Sequence, residues 1–402
     1  MELLAPAGNL EKAKIALMYG ADAVYVGGKT FSLRARASNF NINDLEELAN
    51  FAHGLNKKVY VTMNIVPHDD DLETLTSYLQ DMERIGIDAI ITTSRYIMHQ
   101  AKIYAPHVEV HVSTQNSITN VKTIEYFKSL GATRTVLARE VTMEELELIA
   151  KKSPLELEVF IHGGMCASFS GRCVLSNYLT NRDANRGGCA HSCRWNYTIQ
   201  KNHIPYQTGG YFSMGSKDLM AVRYIPKFID LGIASIKIEG RMKSTYYLAT
   251  VVKCYRDIID LYEKNKIVTE EDYLYFEKEI KKAENRLTSI GFYEGIPTIN
   301  EQLYDNRSEH PTKEYVGMVL DYNEETKIAL IEQRNYFETG NTLEFFGPKL
   351  KNTLMTCPVF NDYKTSEELT IARHPLQLLT MKVDFKVEKF DMLRLASVEN
   401  KD

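Results

Sequence analysis

From its first residues to about residue 265 the chain repeats one unit: a short β-branched apolar run, a polar turn, an amphipathic helical stretch, then another apolar run. The runs fall at 2–5, 23–27, 58–63, 88–93, 108–112, 134–138, 156–161 and 234–238. Between them lie helical patterns such as Asn43–Leu55, Leu72–Ile85 and Met143–Lys151. Asn9, Asn43 and Thr142 stand where capping residues belong, Thr142 with Glu145 three positions on. Eight strand–helix units in this length match a closed (β/α)8 TIM-like barrel in number and size. An open doubly wound sheet is the alternative, but its glycine fingerprint is missing: the first turn reads Ala5-Pro6-Ala7-Gly8-Asn9.

Two features depart from the repeat. Residues 163–211, after the seventh strand, form an insertion rich in Gly, Cys, Asn and Arg. Beyond the last barrel helix, a charged helical stretch over 270–286 and a poorly patterned segment make a helical connector over 266–313. Residues 314–402 then alternate in short segments (315–322, 327–334, 342–346, 378–385) parted by turn residues, which predicts a small all-β barrel domain.

Net charge is −5, so any nucleic-acid contact must come from a local patch. No run approaches the roughly 18 apolar residues of a membrane span, and the first residues lack a basic leader. The expectation is a cytoplasmic enzyme with no membrane partner, and in that compartment structural disulfides are rare.

In a parallel barrel, chemistry sits at the carboxyl ends of the strands. Those positions hold Gly27, Gly28, Asn64, Ser113, Thr114, Gln115, Asn116, Arg139, Glu140, His162, Glu239 and Arg241. Asn64, Gln115 and Asn116 supply hydrogen-bonding groups, while Arg139 and Arg241 suit a bidentate grip on carboxylate or phosphate. Each has a plainer reading too. Glu140 beside Arg139 suits a structural rim pair, and His162 suits a hydrogen-bonded core histidine as well as a catalytic one. Lys237 should point into the barrel and pair with Glu239 or Glu158.

Four of the six cysteines, Cys166, Cys173, Cys189 and Cys193, fall in the insertion among glycines that let backbone wrap closely around an inorganic centre. Cys254 and Cys357 read as packed thiols. Structural zinc prefers paired C-x2–4-C knuckles, whereas Cys166 and Cys173 stand seven apart. A [4Fe–4S] cluster tolerates irregular spacing and is the expected cofactor, with zinc as second choice. The three-cysteine radical-initiating motif is absent. Arg172, Arg182, Arg186 and Arg194 against Asp183 make residues 161–200 locally basic. Those arginines suit phosphate recognition or the offsetting of thiolate charge, and Trp195 and Tyr197 suit base stacking or the sealing of a cluster.

Taken together, Glu158-Val-Phe-Ile-His-Gly-Gly-Met-Cys166, Gly171-Arg-Cys-Val-Leu-Ser176 and Asn185-Arg-Gly-Gly-Cys-Ala-His-Ser-Cys-Arg-Trp195 resemble the signature of the collagenase-like (U-32) peptidase family. Leu3-Leu-Ala-Pro-Ala-Gly-Asn9, Lys237-Ile-Glu-Gly-Arg-Met-Lys243, Gln333-Arg-Asn-Tyr336 and Phe345-Phe-Gly-Pro348 extend the likeness over nearly the whole chain. Within the family it is most similar to the prephenate-dependent tRNA uridine hydroxylases. The resemblance implies oxygen-independent hydroxylation of the wobble uridine of tRNA to 5-hydroxyuridine, with prephenate as hydroxyl source and tRNA as partner. It implies a [4Fe–4S] cluster on Cys166 and Cys173, with Cys189 and Cys193 matching the pattern of some branches. It also leaves a peptidase as the rival enzyme, although neither an H-E-x-x-H nor a G-x-S-x-G motif is present. A third reading is a non-catalytic, tRNA-holding or cluster-carrying partner of a paralogue.

On these grounds the expected catalytic residues are His162, Glu239, Arg241 and Arg139. The expected substrate contacts are Gln115, Asn116, Asn64, Arg172, Arg186, Arg194 and Trp195.

Overall fold

The computed structural model describes residues 1–33, 39–205, 212–283, 286–303 and 315–396. The end of the insertion (206–211), much of the connector's last stretch (304–313) and the final residues 397–402 lie outside them. The chain divides into two units, one of Met1–Lys278 with Arg286–His310, the other of Glu279–Asn285 with Pro311–Asp402. The segment read as a connector is thus shared between the two.

In the first unit eight parallel strands close on themselves: β1 (Glu2–Pro6), β2 (Ala23–Gly27), β3 (Lys58–Met63), β4 (Ala89–Thr92), β5 (Glu109–Val112), β6 (Arg134–Val136), β7 (Glu156–Gly163) and, after a short strand β8 (Asp218–Met220), β9 (Ser235–Ile238). Strand β9 pairs in parallel with both β7 and β1, which shuts the barrel. Following the pairings once round returns to β1 eight residues out of register, the shear of a TIM barrel. Strand β8 runs antiparallel to the end of β7 and pairs in turn with β10 (Thr288–Ser289).

The helices form where the periodicity places them: α1 (Leu10–Met18), α2 (Ile42–Gly54), α3 (Leu75–Arg84), α4 (Arg95–Tyr104), α5 (Val121–Ser129) and α6 (Met143–Ala150). Asn9 caps α1, and Thr142 with Glu145 makes a capping box on α6. The cap of α2 is Asn41, not Asn43: its side chain takes the Asp44 amide while Asp44 answers its own, so the helix starts two residues earlier. Further on come α7 (Leu175–Thr180) within the insertion, α8 (Ile225–Asp230), the long α9 (Thr245–Asn265) and α10 (Glu270–Lys281).

The barrel interior is only partly apolar. Leu4, Ala23, Tyr25, Tyr60, Ala89 and Ile91 form a buried cluster. Beside it Lys237 Nζ meets Glu158 at 2.8 Å, and Arg134 reaches Glu158 at 3.4 Å, Glu2 at 2.6 Å and Glu156 at 2.8 Å. Lys237 also lies over the Tyr25 ring. Burial would push the Glu158 carboxyl up, but Lys237 and Arg134 outweigh it and hold it below its ordinary range.

In the second unit an eight-stranded antiparallel sheet runs in the order Thr353–Thr356, Thr342–Phe346, Met392–Leu395, Tyr315–Asn323, Ile328–Gln333, Leu378–Lys382, Phe360–Asp362, Glu368–Leu369. It curls about Val316, Val319, Ile331, Phe337, Phe345 and Phe360 as an all-β half-barrel. Arg394, buried, is shared by Glu279 at 2.6 Å and Glu344 at 2.5 Å.

Candidate functional site

Strand β7 ends at Gly163, where the backbone turns with φ near +100° and a Cβ would fall 2.3 Å from the Glu239 carbonyl oxygen. Only glycine lets the insertion leave the barrel so close to the end of β9. Three ties then hold the insertion to the strand ends. Arg139, after β6, donates to the Gly164 carbonyl at 2.9 Å, and its guanidinium lies 4.0 Å over Phe160. Glu140 accepts from the Ser170 amide at 2.6 Å and its hydroxyl at 2.9 Å. The Val66 amide, after β3, donates to Asn185 O at 3.0 Å. Arg139 and Glu140 therefore diverge to separate partners.

All four insertion cysteines are half-buried, and no disulfide joins any of the six. Cys173 is framed by Asn185, which accepts its amide at 3.3 Å and donates to its carbonyl at 3.0 Å. Its sulfur accepts the Leu175 amide at 3.3 Å. Burial pushes the Cys193 thiol up, and Cys166, Cys189 and Cys173 push the same way while Arg194 opposes them. The four sulfurs thus share one electrostatic neighbourhood. Among the described residues no three or more His, Cys, Asp or Glu side chains are grouped so that they could hold a metal ion. Cys254 and Cys357 are buried elsewhere.

Inside the mouth, Asn64 donates to Gln115 Oε1 at 3.1 Å, and the Ser113 hydroxyl donates to the same oxygen at 3.0 Å. The Asn116 Nδ2 is buried with no hydrogen-bond partner among the described residues. Arg139 reaches Glu239 at 3.4 Å, and the Tyr25 hydroxyl donates to that carboxylate at 3.4 Å. Arg241 is buried and donates to the Ser32 hydroxyl at 2.8 Å, itself 2.9 Å from Thr62. A Cβ on Gly27 would fall 1.8 Å from the Arg241 guanidinium, so glycine there makes room for it. The structure thereby brings Asn64, Gln115, Asn116, Arg139, Glu239 and Arg241 to one end of the barrel with the cysteine loop.

The other expected residues are placed differently. His162 is buried with its ring against Tyr247 and Tyr255 of α9, its Nδ1 3.2 Å from the Tyr255 hydroxyl. Arg186 pairs with Asp71 at 2.9 Å, and Arg194 with Asp218 at 3.4 Å. Arg172 and Trp195 face solvent. Asp218 escaped the sequence reading, because its three-residue strand is too short to show a period. It gathers Arg194, Arg286 and Lys243. Burial pushes it up, yet Lys243, Arg286 and Arg194 hold it below the usual carboxylate range.

A closed parallel barrel with a four-cysteine loop tied to the carboxyl ends of its strands, followed in sequence by an all-β unit, defines a TIM-barrel class with a cysteine-rich insertion at the mouth. Against known families, residues 8–303 match the family model "Peptidase family U32" and residues 311–394 "Peptidase family U32 C-terminal domain". The chain belongs to peptidase family U32. It is 43% identical to tRNA hydroxylation protein P1 of Bacillus subtilis, over 98% of this chain and 94% of that one. It is 31% identical to tRNA hydroxylation protein P of Escherichia coli, over 87% and 86%. A Porphyromonas gingivalis protein named collagenase is 32% identical over 86% of each. Among the described residues no helix is long and apolar enough to cross a membrane.

Proposed function

We propose that this chain is a tRNA-modifying enzyme that hydroxylates the wobble uridine to 5-hydroxyuridine without molecular oxygen, on a [4Fe–4S] cluster and with prephenate as hydroxyl donor. The observation that carries the reading is the tethering of the four-thiol loop to the ends of β3 and β6, where it leaves the barrel close against the end of β9 and beside the polar mouth. The near full-length likeness to two tRNA hydroxylation proteins supports the RNA substrate.

What supports a cluster is the chemistry of four thiols outside any disulfide, the Leu175 amide aimed at the Cys173 sulfur, and glycines where the chain folds closest. Cys166, Cys173, Cys189 and Cys193 would hold it, and when bound it would supply iron that binds or polarises the reacting centre. The chain's own residues do the rest. Arg139 and Arg241 present guanidinium groups to the two carboxylates of the donor. Glu239, oriented by Arg139 and Tyr25, stands at the same end as a proton acceptor. Asn64, Gln115 and Asn116 offer amides to the edge of a base turned out of its stack.

Nucleoside mass spectrometry of tRNA from a deletion strain tests this. We expect 5-hydroxyuridine to vanish, to return with the wild-type chain, and to stay absent with Cys166→Ala or Cys173→Ala. Those variants, purified anaerobically, should lack the brown chromophore, iron and sulfide. Modification that survives loss of the chromophore would refute a catalytic cluster, and zinc without sulfide would replace it. Failure of this chain alone to restore the modification would point to a paralogous partner. Cleavage of gelatin by the metal-free protein would favour the peptidase reading that the collagenase relative's name suggests.

A further inference from the structure

The insertion carries a surface that the chemistry at the barrel mouth does not use. Val174, which caps the start of α7, and Tyr178 within it lie one turn apart, linked by the Tyr178 amide donating to the Val174 carbonyl at 3.2 Å. Val174 is 56% exposed and Tyr178 85% exposed, and Phe169 and Leu179 beside them in sequence are exposed too. Scattered single apolar residues on a surface need no explanation, but a tyrosine this far into water one turn from a second exposed apolar side chain does. The ridge starts at the cysteine loop, since Val174 follows Cys173 directly. At about 1.5 Å per helical residue, Tyr178 stands roughly 6 Å beyond Val174, a little under two stacking steps of a nucleic-acid strand at about 3.4 Å each.

Charge selects the occupant. Of the four arginines in the insertion, Arg186 and Arg194 are taken up by Asp70, Asp71 and Asp218. Arg172 and Arg182, which bracket the ridge in sequence, form no ion pair among the described residues. An aromatic face with basic groups on both sides accepts any base by stacking and the adjoining phosphates by charge.

We propose that the Val174–Tyr178 face of α7, flanked by Arg172 and Arg182, is a stacking platform for an unpaired RNA nucleobase one or two nucleotides from the base being modified. This rests on the RNA-substrate reading above and adds where the neighbouring nucleotide is held. Tyr178 contributes affinity and position, not sequence choice.

Fluorescence anisotropy with the anaerobically purified full chain tests it, using a labelled RNA hairpin with an unpaired uridine-containing loop and a fully paired RNA duplex. Tyr178→Ala should weaken hairpin binding about tenfold or more, the scale of one base–aromatic stack. Tyr178→Phe, which keeps the ring, should bind as wild type does, and duplex binding should be the same in all three. Iron and sulfide should not change. Hairpin binding unaffected by Tyr178→Ala overturns the platform, as does equal loss on hairpin and duplex. Self-association abolished by Tyr178→Ala while hairpin binding stands would give the ridge to a protein instead, and also overturns it. Wild-type chain that binds neither RNA removes the RNA-substrate reading itself. An intact substrate reading with a failed platform shows as tRNA modification and hairpin binding both retained in Tyr178→Ala.

Discussion

Glu158 is a carboxylate with no access to water, and it survives there because two cations converge on it. Replacing a whole buried ion pair by apolar groups is often neutral, whereas removing one partner strands the other at a cost of about 3–5 kcal/mol. Glu158→Gln should therefore destabilise the chain by about that much in chemical denaturation, because Lys237 loses its carboxylate at 2.8 Å. The double variant Glu158→Leu, Lys237→Met should recover a good part of the loss. A Glu158→Gln protein within about 1 kcal/mol of wild type would mean that solvent reaches the barrel interior. Sequence alone placed Lys237 inward with Glu158 or Glu239 as partner, since alternation along one strand settles direction. It could not choose between the two, because the choice depends on how the strands are staggered.

Among the elements, the barrel strands were legible because each is a short β-branched run between polar turns, and all eight occur at the expected places. What escaped was set by encounters far along the chain. Asn41 caps α2 in place of Asn43, a choice between two asparagines decided by which one faces the Asp44 amide. Arg186 and Arg194 became struts of the insertion through acids 115 and 24 residues away. Glu140 turned from its neighbour Arg139 to anchor Ser170, 30 residues on. That anchor is testable. Two hydrogen bonds to one carboxylate should contribute about 1.5–3 kcal/mol each. Glu140→Ala should thus speed amide hydrogen exchange across 166–174 by tenfold or more while β1–β6 keep their protection. Unchanged exchange in the cysteine loop would show that Arg139 and the Asn185 contact hold it without help.

For the whole molecule, the buried titratable groups fix how stability responds to acid, and they act in separate windows. Burial lowers the His111 imidazole below its ordinary 6.5, and Arg134 pushes the same way against Glu109 and Glu158. The folded chain therefore keeps His111 neutral where the unfolded chain takes up a proton. That contribution is complete above about pH 6.5 and is lost progressively as the pH falls toward the folded value. Glu158 and Asp218 are held below their ordinary 4.5 and 3.8, so their contribution persists above those values and is lost only in more acidic solution. The melting temperature at constant ionic strength should fall in two stages, the first beginning near pH 6.5. His111→Phe keeps a ring against Tyr60, which His111 meets edge-on at 4.8 Å, and removes the titration. It should flatten the first stage and leave the second. If wild type and His111→Phe lose the same number of degrees between pH 7 and pH 5, the first stage comes from other histidines and His111 is protonated in the folded barrel.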